Sequence, residues 1–579
     1  MGERQPLADE SDRVVLVFDG RLDNREELIS ALGNFAVDRS ASDAKIVLAS
    51  YRRWGTDFVA KLLGPFALAV CDEQRARLLL ARDAMGDRVL YFHVNEERVA
   101  AASEEAALLA YPGVSDEVDF ASVVRLFAFD APPSGGTYFR DISEVREGEV
   151  VVVDSGGLRR RAYWRPDPRT ELRLRREEDY AERFRELLER SVAARMRATR
   201  VPAVMMSGGL DSTTIASLAA RQLRAGSGVR LKTYSWVFEE LPSCDERGYM
   251  DLVIGEWRLD ARRVVGDRAW PLSAGFSTVQ NPNVPLRGAY RELRDLLFDQ
   301  AASAGERVLL TGEFADELYT GGEDWLRDLA REHRWITAFR VSARGVGERF
   351  LLHRRGVYGL RTGVRRLFQG AAPDVTHVAP DWLTPDARRL LHDSWAGSDR
   401  ESDRGAVRIR QHENVFHRLS LLGALSEAFD ASLRGIELRR PYRDRRLVEF
   451  MLSVPAHQLF RPGWPKWVLR RGAEGLLPDA LRRRRVPTSL EALFKRGFVG
   501  AGNERIRRTL LVPDAWWRDF LPSEVVERVL ASRDGRREIT RETLAVWSCV
   551  GLELWRRNRA RSSGASRNNE ITLSKEVRA

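Results

Sequence analysis

Apolar and polar positions alternate in short runs between residues 13 and 110. "RVVLVFDG", "PFALAVCD", "ARLLLARD", "RVLYFHV" and "ERVAAAS" each read as a strand. Between the first two, "NREELISAL" has helical spacing, with Asn24 as N-cap and Glu27 three residues on, the spacing of a capping box. "SDAKIVLASYRRWG" predicts a second helix ending at Gly55. "GEVVVVDSGGLRRRAYW" predicts a closing hairpin. The sum is an α+β unit, a sheet with helices on one face. The polar stretch "RPDPRTELRLRREED" after it reads as a linker.

From about residue 178 the rhythm changes. Helical patterns alternate with the short apolar runs "PAVMMS", "LKTYSWVF" and "RVLLTG", which predicts an α/β unit with a parallel sheet and crossover helices. Beyond about 385 the pattern is mostly helical, and the polar end "ARSSGASRNNEITLSKEVRA" predicts a disordered tail. The expected division is 1–165, 166–560 and a tail at 561–579.

Length and composition support this picture. A chain of 579 residues exceeds what one core serves. No apolar run approaches the roughly 20 residues that cross a bilayer, and no signal segment opens the chain. Cys71, Cys244 and Cys549 are scattered, which suits a reducing compartment and gives no zinc spacing. These features predict a cytoplasmic protein without a membrane partner. The net charge of +10 is spread along the chain, so solvated basic faces account for it better than nucleic acid does. Residues 327–366 concentrate eleven arginines against three acids. That stretch reads as a solvated helical pair, or as a docking face for an acidic partner or peptide.

The chemistry begins at "MMSGGLDST". A strand ends, two glycines permit a tight turn, and a helix starts, with Ile215, Leu218, Ala219 and Leu223 at helical spacing. Exposed N–H groups at such a turn favour an anion, and Ser207 and Ser212 add hydroxyls. Asp211 would repel a bare phosphate, which implies Mg²⁺ between carboxylate and phosphate. The Gly-Lys-Ser/Thr ending of a Walker loop is absent.

"SGGLDS" resembles the pyrophosphate loop of enzymes that cleave ATP between its α and β phosphates. "RVLLTGEFADELYTGG", "RGIELRRPYRDRRLVEF" and "PKWVLRRGAEGLLP" resemble three ordered motifs of the asparagine synthetases, and "VFDGRLDNREEL", "GPFALAVCD" and "LLARDAMGDRVLYF" resemble their first domain. The resemblance implies an N-terminal Ntn-hydrolase-like, degenerate glutaminase-like domain. It implies a C-terminal PP-loop synthetase domain of the adenine nucleotide alpha-hydrolase-like class. It also implies ATP and Mg²⁺ as cofactors. Met206 and Trp236 would flank the adenine, with Thr311 and Gly312 nearby. Ser207, Gly208, Gly209, Leu210, Asp211 and Ser212 would hold the pyrophosphate, and Asp211 and Asp316 the metal. Glu313 would manage the nucleophile's proton, and Lys466 would stabilise charge on the phosphate and the tetrahedral intermediate.

Asparagine synthetases open Met-Cys-Gly, and that cysteine hydrolyses glutamine. This sequence opens Met1-Gly2-Glu3 and is expected to lack some tens of residues of the family's first domain. The family's glutamine-binding Asn-Gly-Glu reads Asp19-Gly20-Arg21 here, a reversal of charge. Both features predict that glutamine is not the nitrogen donor. Among relatives with inactive first domains, the stretch "FEELPSCDERGYMDLV" looks most like the lasso-peptide macrolactam cyclases. The β-lactam synthetases carry tyrosine where Glu313 stands. Val486 and Pro487 depart from the asparagine synthetases, which have a lysine in that region.

The resemblance therefore implies adenylation of an Asp or Glu side chain of a precursor peptide. The peptide's N-terminal amine then closes an isopeptide ring, releasing AMP and pyrophosphate. It implies a leader-binding protein and a leader peptidase as partners, and no nucleic acid. The alternatives are a small-molecule amide synthetase, making asparagine or a β-lactam, and a PP-loop tRNA-modifying protein. The chain shows no RNA-binding module that would serve the latter.

Overall fold

The computed structural model describes residues 4–9, 13–35, 37–226, 228–275, 281–319, 329, 334, 378–396, 407–461, 464–532 and 538–562. The first unit contains β1 (Leu7–Asp9), β2 (Val14–Gly20), β3 (Phe66–Asp72), β4 (Arg77–Arg82), β5 (Tyr91–Val94), β6 (Val99–Ala102), β7 (Ser143–Glu144), β8 (Glu149–Asp154) and β9 (Gly157–Ala162). Six of them form an antiparallel sheet in the order β1-β2-β3-β4-β8-β9, with Phe18 opposite Leu68, Leu68 opposite Ala81 and Ala81 opposite Val150.

One face of that sheet packs on α1 (Arg25–Leu32) and α2 (Asp43–Trp54), burying Leu16, Leu68 and Leu79 against Leu28, Ile46 and Val47. The other face is apolar too. Ala67, Leu80 and Val151 meet Leu90, Phe92 and Val145, around a second small sheet in the order β6-β5-β7. The runs "RLLLAR" and "EVVVVD" are apolar without alternation, which marks strands covered on both sides. The single sheet expected from the sequence is thus a pair of sheets.

The expected capping box at Asn24 does not form. Asn24 makes no side-chain cap bond. Its amide instead donates to the Lys61 carbonyl at 2.8 Å and accepts from the Leu63 N–H at 3.0 Å, pinning a distant turn. The second helix ends at Gly55 as its sequence implies, with φ 56°.

The second unit holds a five-stranded, all-parallel sheet made of β10 (Ala203–Met205), β11 (Lys232–Val237), β12 (Asp260–Val265), β13 (Val308–Leu310) and β14 (Glu437–Arg439). Its order is β12-β11-β10-β13-β14. The first strand therefore lies mid-sheet, and the chain leaves it in opposite directions toward β11 and β13. Such a reversal opens a crevice at the carboxyl ends of the two central strands, where α/β sheets bind ligands. The expected strands β10, β11 and β13 are all present. The strands β12 and β14 escape the apolar pattern because "DARRVV" and "ELR" are charged or very short. Along the helix Leu210–Gly226, Ile215, Leu218 and Ala219 are buried, as their spacing requires.

Buried polar contacts join the two units. Glu144 lies between Arg82 of the first and Arg418 of the second. Burial alone would raise its carboxyl; the two guanidinium groups outweigh that and hold it below the usual range. The Trp164 indole N–H donates to Glu449 at 2.6 Å. Arg443 meets Asp87 at 2.5 Å.

Among the described residues no helix is long and apolar enough to cross a membrane. The arginine-rich stretch, apart from Leu329 and Arg334, lies outside the described residues, as does the tail from 563 on.

Candidate functional site

The loop after β10 is held by its own side chains. Ser212 Oγ accepts from the Ser207 N–H at 3.0 Å and lies 2.9 Å from Ser207 Oγ. Ser207 Oγ accepts from the Gly209 N–H at 3.2 Å. Gly208 sits against the next element: an added Cβ would lie 2.7 Å from Glu246 Cβ. Glu246 accepts from the Gly208 N–H at 2.9 Å, and Arg484 clamps the turn from the far side, donating to the Gly208 carbonyl and to Glu246. Gly312, after β13, is equally constrained, because a Cβ there would approach the Ser212 nitrogen to 2.5 Å. The two loops at the switch point are thus in backbone contact.

At the crevice Lys466 Nζ bridges two carboxylates. It pairs with Asp211 and, at 2.7 Å, with Asp316. The Asp211 and Lys466 side chains are mostly buried, whereas Asp316 is largely exposed. Burial pushes the Asp211 carboxyl up to about 6; Lys466 opposes this and Asp316 adds to it. Burial alone would lower the Lys466 ammonium, but the two aspartates more than offset it. Lys466 adopts φ 59°, and Phe314, next to Glu313, adopts φ 71°. The left-handed region costs a side-chain-bearing residue about 1–2 kcal/mol. Two such residues at one crevice mark a place where backbone comfort gives way to side-chain position.

Asp211 Oδ2 faces Lys466, while Oδ1 is buried without a hydrogen-bond partner. An orphaned carboxylate oxygen beside an exposed second carboxylate fits Mg²⁺. That ion commonly takes one or two protein carboxylates and completes its shell with phosphates and water. No group of three His, Cys, Asp or Glu that could hold a metal occurs among the described residues. Asp211 and Asp316 would hold the ion, which would neutralise the departing pyrophosphate.

Glu313 does not join this trio. Its Oε2 accepts from Arg440 Nε at 2.6 Å. Beside it stands Glu427, which the sequence did not single out; it is buried and meets Arg294 Nε at 3.1 Å. Burial would raise both carboxyls. The Arg440 guanidinium overcomes burial at Glu313 and holds it ionised, well below the usual range. Glu427, buried and facing that charge, is pushed well above. The two carboxyls are thus driven apart, Glu313 downward beside Arg440 and Glu427 upward by burial.

Replacing Arg440 by alanine leaves the half-buried Glu313 and the buried Glu427 without their shared cation. We expect a loss of about 3–5 kcal/mol in unfolding free energy, the usual result of removing one partner from a buried ion pair. Urea unfolding monitored by tryptophan fluorescence measures it. A loss under about 1 kcal/mol would show that water already screens the pair.

The remaining expected residues divide. Thr311 is buried, and its N–H donates to the Arg439 carbonyl at 3.0 Å, tying β13 to β14 above the crevice. Leu210 opens the helix and is buried in the core. Met206 is 1% exposed, its side chain lies in the core and its N–H donates to the Tyr234 carbonyl at 2.9 Å. Trp236 is half-buried on β11, its indole N–H donating to the Leu293 carbonyl at 2.9 Å. In the first unit Arg21, at the end of β2, is buried and paired with Asp23 at 2.9 Å and with Glu437 of the second unit at 3.3 Å.

Comparison with known proteins agrees with this arrangement. The family Asparagine synthase matches residues 183–557. The chain belongs to the asparagine synthase family. A Glutamine amidotransferase domain matches residues 2–164. "Asparagine synthetase (glutamine-hydrolyzing) 3" of Bacillus subtilis is 26% identical over 84% of this chain and 77% of its own length. "Putative asparagine synthetase (glutamine-hydrolyzing)" of Mycobacterium bovis is 28% identical over 82% of this chain and 74% of its own. "Amidase chry2" of Gibberella zeae is 27% identical, and the match spans 57% of this chain and about half, 51%, of that protein.

As a member of this family the chain is an ATP-dependent carbon–nitrogen ligase with a glutaminase-like first domain and a PP-loop synthetase domain. The comparisons give no specific link to the lasso-peptide cyclases. The structure also gives "ELPSCDER" a local task. Asp245 accepts from the Phe238 N–H and from Arg247, and Glu246 holds Gly208. Of these residues Glu246 serves the loop after β10, and Asp245 ties its own segment to the end of β11.

Proposed function

We propose that this asparagine synthase family member adenylates a small carboxylic acid of the aspartate kind and transfers the acyl group to an amine not drawn from glutamine. The observation that carries the reading is the Lys466 bridge between Asp211 and Asp316 at the switch-point crevice. It places a cation and two metal-competent carboxylates beside a turn suited to pyrophosphate. Glu313 supplies the proton acceptor for the amine, and Lys466 a donor for the oxyanion of the tetrahedral intermediate. The relatives named as asparagine synthetases match across most of the chain, which favours a small acid over a peptide.

The source of nitrogen rests on Arg21. Its guanidinium stands, in ion pairs, where the resemblance implies a carboxylate for the ammonium group of glutamine. The same feature supports a second reading, ring closure of a precursor peptide by its own N-terminal amine. There a tethered nucleophile would gain effective molarity.

The test is product analysis with ATP and Mg²⁺. Free aspartate with ammonia, aspartate with glutamine, and linear peptides bearing a free N-terminus and an internal Asp or Glu are compared by mass spectrometry. We expect AMP and pyrophosphate with the first pair and no glutamate from glutamine. Stoichiometric ADP would sink the adenylation reading. A peptide lighter by one water, with aspartate unchanged, would establish the second.

A further inference from the structure

A cavity of about 350 Å³ opens between the two units, away from the pyrophosphate loop. Its size is within the range that holds small metabolites. Asp19, Arg21 and Arg88 line it from the first unit, and Arg307, Glu437 and Arg439 from the second. The charges do not balance. Glu437 serves three guanidinium groups: Arg439 at 2.8 Å, Arg21 at 3.3 Å and Arg88 at 3.5 Å. Two other acids line the cavity: Asp87, which is paired with Arg443, and Asp19, which is mostly exposed and lies 3.4 Å from Arg88 Nε; the lining still sets six arginines against three acids.

The donors are also unsatisfied. Arg439 is 8% exposed, and its Nε has no hydrogen-bond partner. Arg88 Nε is buried and makes no hydrogen bond, with the exposed Asp19 carboxylate 3.4 Å away. The exposed Arg307 makes no side-chain hydrogen bond or ion pair with any described residue. A buried guanidinium with idle N–H groups carries a desolvation cost that a matching acceptor relieves. Planar guanidinium groups suit carboxylate and phosphate oxygens.

From these three guanidinium groups converging on one cavity, we propose that it is a binding site for a small dianion of the phosphate-ester or dicarboxylate kind. The ligand supplies the oxygens that Glu437 alone cannot. The cavity adjoins the proposed acyl-transfer crevice, sharing Arg440 with Glu313, but the proposal does not depend on which acid is activated there.

The test uses the full chain with the pyrophosphate loop filled by excess non-hydrolysable ATP analogue and Mg²⁺. Inorganic phosphate, succinate and L-glutamine are titrated separately by calorimetry. We expect one of the two dianions to bind saturably. Arg88→Ala and Arg307→Ala should each weaken it about tenfold or more, the effect of losing a charge-assisted hydrogen bond. Glu437→Gln, which removes the internal competitor, should tighten it. Phosphate binding that responds to these substitutions points to a phosphate ester, and succinate binding to a dicarboxylate. The proposal is overturned if neither dianion saturates, if both arginine variants bind like the parent, or if only glutamine binds. Arg307 is exposed, so its variant folds and keeps the test decisive should Arg88→Ala fail to fold.

Discussion

Lys466→Ala lowers turnover by about 10²-fold or more, the scale seen when one preorganised oxyanion donor is removed. The bridge to Asp211 and Asp316 vanishes, and the two carboxylates then meet without a cation between them. A bound metal ion partly compensates, so nucleotide affinity changes far less than turnover. Arginine does not rescue. A planar guanidinium cannot reproduce the point charge of an ammonium placed between two carboxylates. Single-turnover AMP formation, set beside nucleotide binding by calorimetry, separates the two effects. Near-parental turnover would reduce Lys466 to a structural ion pair.

Asp211→Asn has a larger effect and acts one step earlier. The substitution keeps the shape of the side chain but removes the charge that faces both Lys466 and the metal. It also replaces one oxygen by an amide donor that repels a cation. We expect ATP–pyrophosphate exchange to fall by about 10³-fold or more, equivalent to roughly 4 kcal/mol of lost stabilisation in the step that releases pyrophosphate. The fold should hold, because asparagine keeps the side-chain shape and Lys466 retains its pair with Asp316. Exchange that persists at a tenth of the parental rate would move the metal away from this carboxylate.

The loop after β10 was legible because its demands fall on residue type: close backbone approach requires glycine, and a helix start favours serine. Gly208 and Gly312 are irreplaceable for reasons visible in single distances. The partners were not legible. Glu313 and Arg440 are 127 positions apart and meet only because β13 and β14 lie side by side. Glu427 carried no signal at all; an acid on a helical run reads as a solvated face until the fold buries it. Asn24 failed for a related reason. Its cap spacing was sound, but a turn elsewhere competed for the same amide. The cyclase-like segment was legible only as a pattern; that its Glu246 also holds Gly208 depends on the fold.

The buried charges shared by the two units bear on how the molecule comes apart. Cutting the chain near Trp164 would strand Glu144 without Arg418, and Arg443 without Asp87, in what had been dry surroundings. Glu144 would keep Arg82 alone, and separation would expose to water the surfaces that these cross-unit pairs now join. Neither half is then a self-sufficient piece. Heating the intact protein should give one calorimetric transition rather than two, and the first unit expressed alone should be degraded or insoluble. Whatever nitrogen donor this chain uses, these ion pairs bind it to keep its first domain.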